Sequence, residues 1–358
     1  GQPAKGVARM HRFVSRSLRK KSLVFTLAPL LASGCLPDPD IKVPDFKPSG
    51  IVDLGKAPLD MTTLPDAGRS RFVPDGAVPT GQTLRAIYVD AGGQIFVAGH
   101  GGTILRRSGT VWTVEQAIDG AAPITSNLYG LAGSGSELYA VGEAGVVVKR
   151  SGDKWLREGK TLAVTASLFA TTITAAGDVY AIGDLGTVLR KPMGGTWTKE
   201  PVSAGLTTAE FRGVAETKND ELTAVGLGGV IAQRSGSAWN SDALAIDSAD
   251  RVNFYGVAKT SEAVFIAGDS NRVLRRDADK WRREPTGNLT GPSANLFALS
   301  ASGQDLVVAG AAGLIERRSA QSKTWSIEDS GTTVMLSALS NVSPLRAVGA
   351  QGTMVVQK

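Results

Sequence analysis

The chain has 358 residues, with 43 Gly, 2 His and a single Cys; that length and glycine content fit one large all-β domain or two ordinary ones and speak against a helical enzyme. Its formal charge of +6 is an end effect, because residues 1–34 hold seven cations and no acid, and from residue 35 onward 32 Lys and Arg face 33 Asp and Glu. A body so close to neutral excludes a general electrostatic attraction for nucleic acid.

The first element in chain order is an export signal. Arg12 to Lys21 form a charged region, and the run SLVFTLAPLLAS an apolar one, too short for the ~20 apolar residues of a spanning helix. The run ends at LASGC, residues 31–35, where small residues before the only cysteine resemble a bacterial lipobox. Cys35 is therefore expected to be the lipidated first residue of the mature chain, with residues 1–34 as signal peptide and Met10 as an alternative start. A processed chain then has no cysteine for a disulfide or a thiolate metal site, and its core alone must hold it. Leu36 follows the cysteine where enteric bacteria place Asp for inner-membrane retention. Its identity implies an outer-membrane lipid anchor, facing the periplasm or the cell surface.

Residues 36–80 carry eight of the sixteen prolines. Such chain stays extended and builds no core, so residues 35–70 read as a lipidated tether reaching on the order of 100 Å. From residue 71 to 358 the sequence repeats. Glycines spaced G-x-x-G recur at 99/102, 142/145, 183/186, 226/229, 310/313 and 349/352, with Gly268 and Asn271 as the remaining copy. The first glycines are 43, 41, 43, 42, 42 and 39 residues apart, and thirteen to fifteen residues after the first six stands a tryptophan, accounting for all six in the chain.

Each copy predicts four short strands, such as LRAIYV (84–89), QIFVAG (94–99), GTILRR (102–107) and VWTVE (111–115). A period near 42 with four strands is the signature of a propeller blade, which buries its faces only against neighbours in a ring. Phosphate-binding loops need a helix after the glycines; here β-rich stretches follow. The glycines are expected to supply positive φ in the turn between strands b and c, and Asn271 is among the few residue types that tolerate it. In strand a a small residue recurs (Ala86, Gly130, Ala170, Gly213, Gly256, Ala298, Ala338), as crowding near an axis requires.

The seventh copy stops at GTMVVQK, lacking a fourth strand and a tryptophan. An open ring would leave an unpaired edge. In the six complete copies an acid lies three residues after the tryptophan, and FVPD at 72–75 has the same spacing between Phe72 and Asp75. Residues 70–75 are therefore expected to pair with 353–357, closing a monomeric, all-β, seven-bladed propeller of four-stranded blades. The phrase AVGEAGVVVKRSGDKW (140–155) resembles the repeat of bacterial exported seven-bladed propellers of the BNR/Asp-box-like, photosystem II assembly-factor-like group. The resemblance covers residues 71–358 and implies fold rather than function. The Asp of a true Asp box is absent from RSGTVW and RSGDKW.

Chemistry is sparse. His100, the one histidine outside the signal, sits in a b–c turn and reads as a solvated bystander; no Ser-His-Asp set, metal cluster or cofactor site can be assembled. Glu143, Asp184 and Asp269 occupy equivalent b–c turns, where they would be solvated or, if convergent, hold a cation or act on a glycan. Strand c ends in basic pairs, Arg106-Arg107, Lys149-Arg150, Arg190-Lys191, Arg275-Arg276 and Arg317-Arg318, with Gln233-Arg234 as the weaker copy. They would ring one face with cations for an anionic polymer, or pair with the acids of the neighbouring strand d. The variable position of strand a is Arg85, Tyr129, Phe169, Arg212, Tyr255, Phe297 and Ser337, mostly residue types that dominate interfaces. At the channel mouth these would form a binding funnel; turned sideways they would pack between blades. The function expected is a non-catalytic binding or scaffold lipoprotein of the outer envelope, docking a protein complex or polysaccharide. An envelope glycan hydrolase or lyase and an outer-membrane assembly factor are the alternatives.

Overall fold

The computed structural model describes Gly1 and residues 71–358, apart from 219, 220, 243, 245, 279, 285–293 and 341. Cys35, Met10, the signal and the tether lie outside the described residues.

Seven sheets follow one another, each built on four antiparallel strands in the order a-b-c-d; the second carries two further strands at its outer edge, Ala117–Asp119, which runs parallel to strand d, and Ala122–Pro123. Blade 1 comprises strands Leu84–Val89, Ile95–Gly99, Ile104–Ser108 and Val111–Glu115. Blades 2 to 6 repeat the plan within residues 128–158, 168–199, 211–241, 254–283 and 296–328. Blade 7 takes strands a to c from residues 336–357 and its outer strand from Phe72–Pro74. There Phe72 lies opposite Gln357, Val73 opposite Val356 and Pro74 opposite Val355, so the ring closes as the sequence predicts. Pro74 is tolerated because it sits on the outermost edge.

The core is divided among the seams rather than concentrated at a centre. Each of seven apolar clusters joins two adjacent blades. Between blades 1 and 2, Phe96, Ala98 and Ile104 meet Leu128, Ala140, Val148 and Trp155. Phe72, fully buried, fills the seam of blades 6 and 7 as the tryptophans fill others. The small residues of strand a are demanded by the next blade: a Cβ on Gly256 would stand 2.7 Å from Leu299 Cβ.

The two repeat glycines differ in purpose. The second has positive φ, as at Gly102 (+69°) and Gly145 (+66°), and Asn271 adopts the same conformation at +55°. The first is extended, with φ of −167° at Gly99, which corrects the expectation that both supply positive φ. What it provides is room. A Cβ on Gly99 would collide with the Thr83 carbonyl oxygen, the acceptor for the His100 amide at 2.9 Å. This close approach recurs in all seven blades, and it holds the start of strand a against the b–c turn.

Candidate functional site

That tight start has a consequence for the side chains. In every blade the a–b register shifts by one residue at the first step of strand a, between Leu84 and Ala86 in blade 1 and at the equivalent step in the others. The extra residue is Arg85, Tyr129, Phe169, Arg212, Tyr255, Phe297 or Ser337. A β-bulge leaves one residue outside the ladder and re-aims its side chain. The residue before it is buried in all seven blades, whereas the six large bulge residues are half-buried and line one axial cavity of about 480 Å³ together with Ser337. The structure thus brings the six funnel residues together at one cavity, where five of them also pack against a neighbour from the next blade.

The funnel residues make contacts among themselves. Tyr129 stacks on Phe169 at 5.1 Å between centroids and 24° between planes. The Arg212 guanidinium lies 3.5 Å over the Phe169 ring, while donating to Glu210 at 2.8 Å and lying 3.7 Å from Asp184. Tyr255 meets Phe297 edge-on at 5.4 Å. His100 belongs to this set rather than to solvent: its ring stands edge-on to Tyr129 at 6.4 Å. Burial, and then Arg85, hold its imidazole below the usual pKa against a weaker pull from Glu143.

The turn acids are each engaged locally. Glu143 accepts from the Asn127 amide at 3.3 Å, and Asp269 accepts from Asn253 Nδ2 at 2.8 Å. Burial raises the Asp184 carboxyl above its ordinary pKa, with Arg212 opposing and Glu210 reinforcing. Among the described residues no group of three acid or histidine side chains is placed to hold a metal.

The basic pairs stand at the outer rim, and they do not form a free cationic face. Neighbouring residues of a strand point to opposite faces, so the two members of a pair reach different seams. The first meets an acid of its own blade. Arg106 lies 2.7 Å from Glu115, Lys149 2.7 Å from Glu137, Arg275 3.5 Å from Glu284 and Arg317 2.6 Å from Glu328. The second crosses to the preceding blade. Arg107 meets Asp75 at 2.8 Å, Arg150 meets Glu115 at 2.8 Å, Arg276 meets Asp242 at 3.8 Å and Arg318 meets Glu284 at 2.7 Å. Lys191 and Arg234 do the same with Glu158 and Glu200. Four tryptophans join in: Trp155, Trp197, Trp239 and Trp281 donate Nε1–H to the preceding blade's acid at 2.8–2.9 Å. The W-x-x-E spacing is a clasp between blades, not only a cross-strand pair within one. Burial pushes the Glu115 carboxyl up, yet the bonds from Arg150, Trp155 and Arg106 hold it below its usual value.

One departure lies in blade 6. Glu316 occupies a position that is Leu105, Val148, Leu189, Ala232, Leu274 or Val355 elsewhere. It is 1% exposed, neither carboxylate oxygen has a hydrogen-bond partner among the described residues, and burial raises its pKa to about 7.

No family model and no curated protein matches the sequence. Solved structures do resemble it. YCF48 bound to D1 peptide has a TM-score of 0.65 and 15% identity, covering 81% of this chain and 95% of that one. For streptogramin B lyase the values are 0.68, 10%, 81% and 98%, and for the WD40 propeller domain of Doa1 they are 0.64, 8%, 80% and 97%. At these identities the likeness shows the fold: residues 71–358 are a β-propeller, built in this chain from seven blades.

Proposed function

We propose that this chain is a non-catalytic binding protein that docks an extended segment of a protein partner on its axial mouth. The observation that carries the reading is the seven-fold bulge, which delivers four aromatic rings and two guanidinium groups to one cavity. These residue types dominate binding hot spots because they offer large contact area at little conformational cost. These six side chains belong to none of the seven apolar clusters that hold the ring. A propeller of the same fold bound to a peptide supports a peptide ligand over a polysaccharide. Lipidation at Cys35 would tether the ring to the outer envelope, which makes an envelope protein complex the partner; an assembly factor is one form this role takes. A second reading, a glycan hydrolase or lyase, rests on Asp184, whose carboxyl is raised by burial beside Arg212.

Photo-crosslinking tests the proposal. With p-benzoyl-phenylalanine in place of Leu227, which lines the cavity, envelope fractions should yield a discrete protein adduct. The adduct should vanish on Phe169→Ala and persist on Arg157→Ala at the outer rim. An adduct indifferent to Phe169, or none at all, defeats the reading. Hydrolysis of an envelope glycan that is lost on Asp184→Asn would favour the enzyme instead.

A further inference from the structure

The groups at the mouth are unevenly satisfied. On the arc of blades 2 to 4, Arg212 has Phe169 beneath it and Glu210 and Asp184 beside it. On blade 5, Asp269 is tied to Asn253. Asp184 and Asp269 each keep one buried oxygen without a hydrogen-bond partner among the described residues, so the unmet groups of blades 3 and 5 are acceptors, whereas those of the seam of blades 7 and 1 are donors. Arg85, the bulge residue of blade 1, lines the cavity with no hydrogen bond or carboxylate partner among the described residues. Ser337, the bulge residue of blade 7, is 9% exposed, and its Oγ is buried with no hydrogen-bond partner there. Adjacent blades thus set two unmet donors at one cavity, a half-buried guanidinium and a neutral hydroxyl buried in the wall.

The surroundings sharpen the need. Burial lowers the Arg85 pKa, Tyr129 pulls it back up, and Arg212 lowers it further. His100 beside it is held toward its neutral form, so it neither supplies a countercharge nor adds a competing cation. A guanidinium that is half-buried without a partner carries a desolvation cost that an anionic ligand would offset. Its fork of N–H donors matches a carboxylate in bidentate geometry, and a serine hydroxyl can add a third bond. The Tyr129–Phe169 stack lies on the other side of Arg85 in ring order.

We propose that the Arg85–Ser337 seam of the mouth binds a carboxylate of the docked peptide, while Tyr129 and Phe169 take an aromatic or apolar side chain next to it. The inference rests on the docking reading above and adds the chemistry of the ligand. The carboxylate belongs either to the peptide's C-terminus or to an Asp or Glu side chain.

Three small probes separate these possibilities when titrated into the full chain by calorimetry. N-acetyl-phenylalanine carries a terminal carboxylate beside a ring. Its amide keeps the ring and loses the charge. N-acetyl-aspartyl-phenylalaninamide keeps the ring and offers only a side-chain carboxylate. At least one acid should bind about tenfold or more tightly than the amide, and whichever acid does so identifies the source. Arg85→Gln should abolish the discrimination, and Ser337→Ala should weaken the acid about threefold while leaving the amide unchanged. Arg85→Lys, which keeps the charge without the fork, should fall between and guards against a Gln variant that does not fold. Acid and amide binding alike, both lost on Phe169→Ala, would overturn the carboxylate assignment and leave the docking site standing. Discrimination that survives in folded Arg85→Gln would overturn it too. Binding of no probe would count against the docking reading itself, and this inference would fall with it.

Discussion

The rim and the mouth are made by the same repeat, yet they treat polar groups in opposite ways. At the rim, a carboxylate 1% exposed at Glu115 receives Arg106, Arg150 and the Trp155 indole. At the mouth, Arg85 and Ser337 Oγ have no such partners among the described residues. Rim positions keep nearly one chemistry from blade to blade, while the bulge position holds Arg, Tyr, Phe or Ser on an unchanged backbone. The difference teaches that the ring is held at its circumference, which leaves the axial side chains free to vary with a ligand.

The largest expected effect breaks the rim. Glu115→Ala leaves two guanidinium groups and an indole N–H without their shared acceptor. Removing one partner of a buried ion pair costs about 3–5 kcal/mol, and urea denaturation should show a loss of that size. Glu143→Ala, the same change on an exposed turn acid near the mouth, should stay within about 0.5 kcal/mol. Equal losses at the two sites would erase the distinction between rim and mouth.

Next in size is Glu316, which breaks the rule from inside a seam. Its neighbours on that face are Leu299 and Val308 of its own blade and the apolar cluster shared with blade 5, with Arg318 two residues on and bonded elsewhere, to Glu284 and Glu262. A carboxyl raised from its ordinary value to about 7 binds its proton more tightly in the folded than in the unfolded chain. The contribution of Glu316 to stability is therefore full below about pH 4.5 and falls as pH rises toward 7. The size of the fall is about 3 kcal/mol at 1.36 kcal/mol per unit. Glu316→Gln should flatten that decline, and Glu316→Leu should make the protein more stable than the wild type at pH 8. A wild-type curve flat from pH 4.5 to 8 would show that the group is hydrated in its seam.

These contrasts mirror what could be read from the chain. The blade count, the tryptophan positions and the closure by Phe72 were legible because six copies restate each rule and the seventh lacks only what residues 72–75 supply. The inter-blade destination of Arg107, Arg150 and Arg318 was missed, although strand alternation held the signal: two adjacent cations cannot face the same acid. The bulge was not legible. An extra residue at the head of a strand looks like ordinary strand, so sequence alone left Tyr129 and Phe169 open to the mouth or the seam and leaned toward the seam. The first glycine of each pair hid its role for a related reason. Its backbone is ordinary, and only the carbonyl pressed against it requires a missing Cβ.

The smallest expected effect on stability sharpens the comparison from the mouth side. Phe169→Ala removes the stack with Tyr129 and the platform under Arg212. An aromatic pair or a cation–π contact that is partly exposed is worth about 1 kcal/mol, and Phe169 belongs to none of the seven seam clusters. The variant should therefore lose only about 1 kcal/mol in urea while losing the Leu227 crosslink altogether. A rim substitution should do the reverse, weakening the fold severalfold more and sparing the crosslink wherever the ring still forms. If Phe169→Ala instead unfolded the protein as readily as Glu115→Ala, the aromatic arc would be part of the scaffold, and the axis would have to be treated as core.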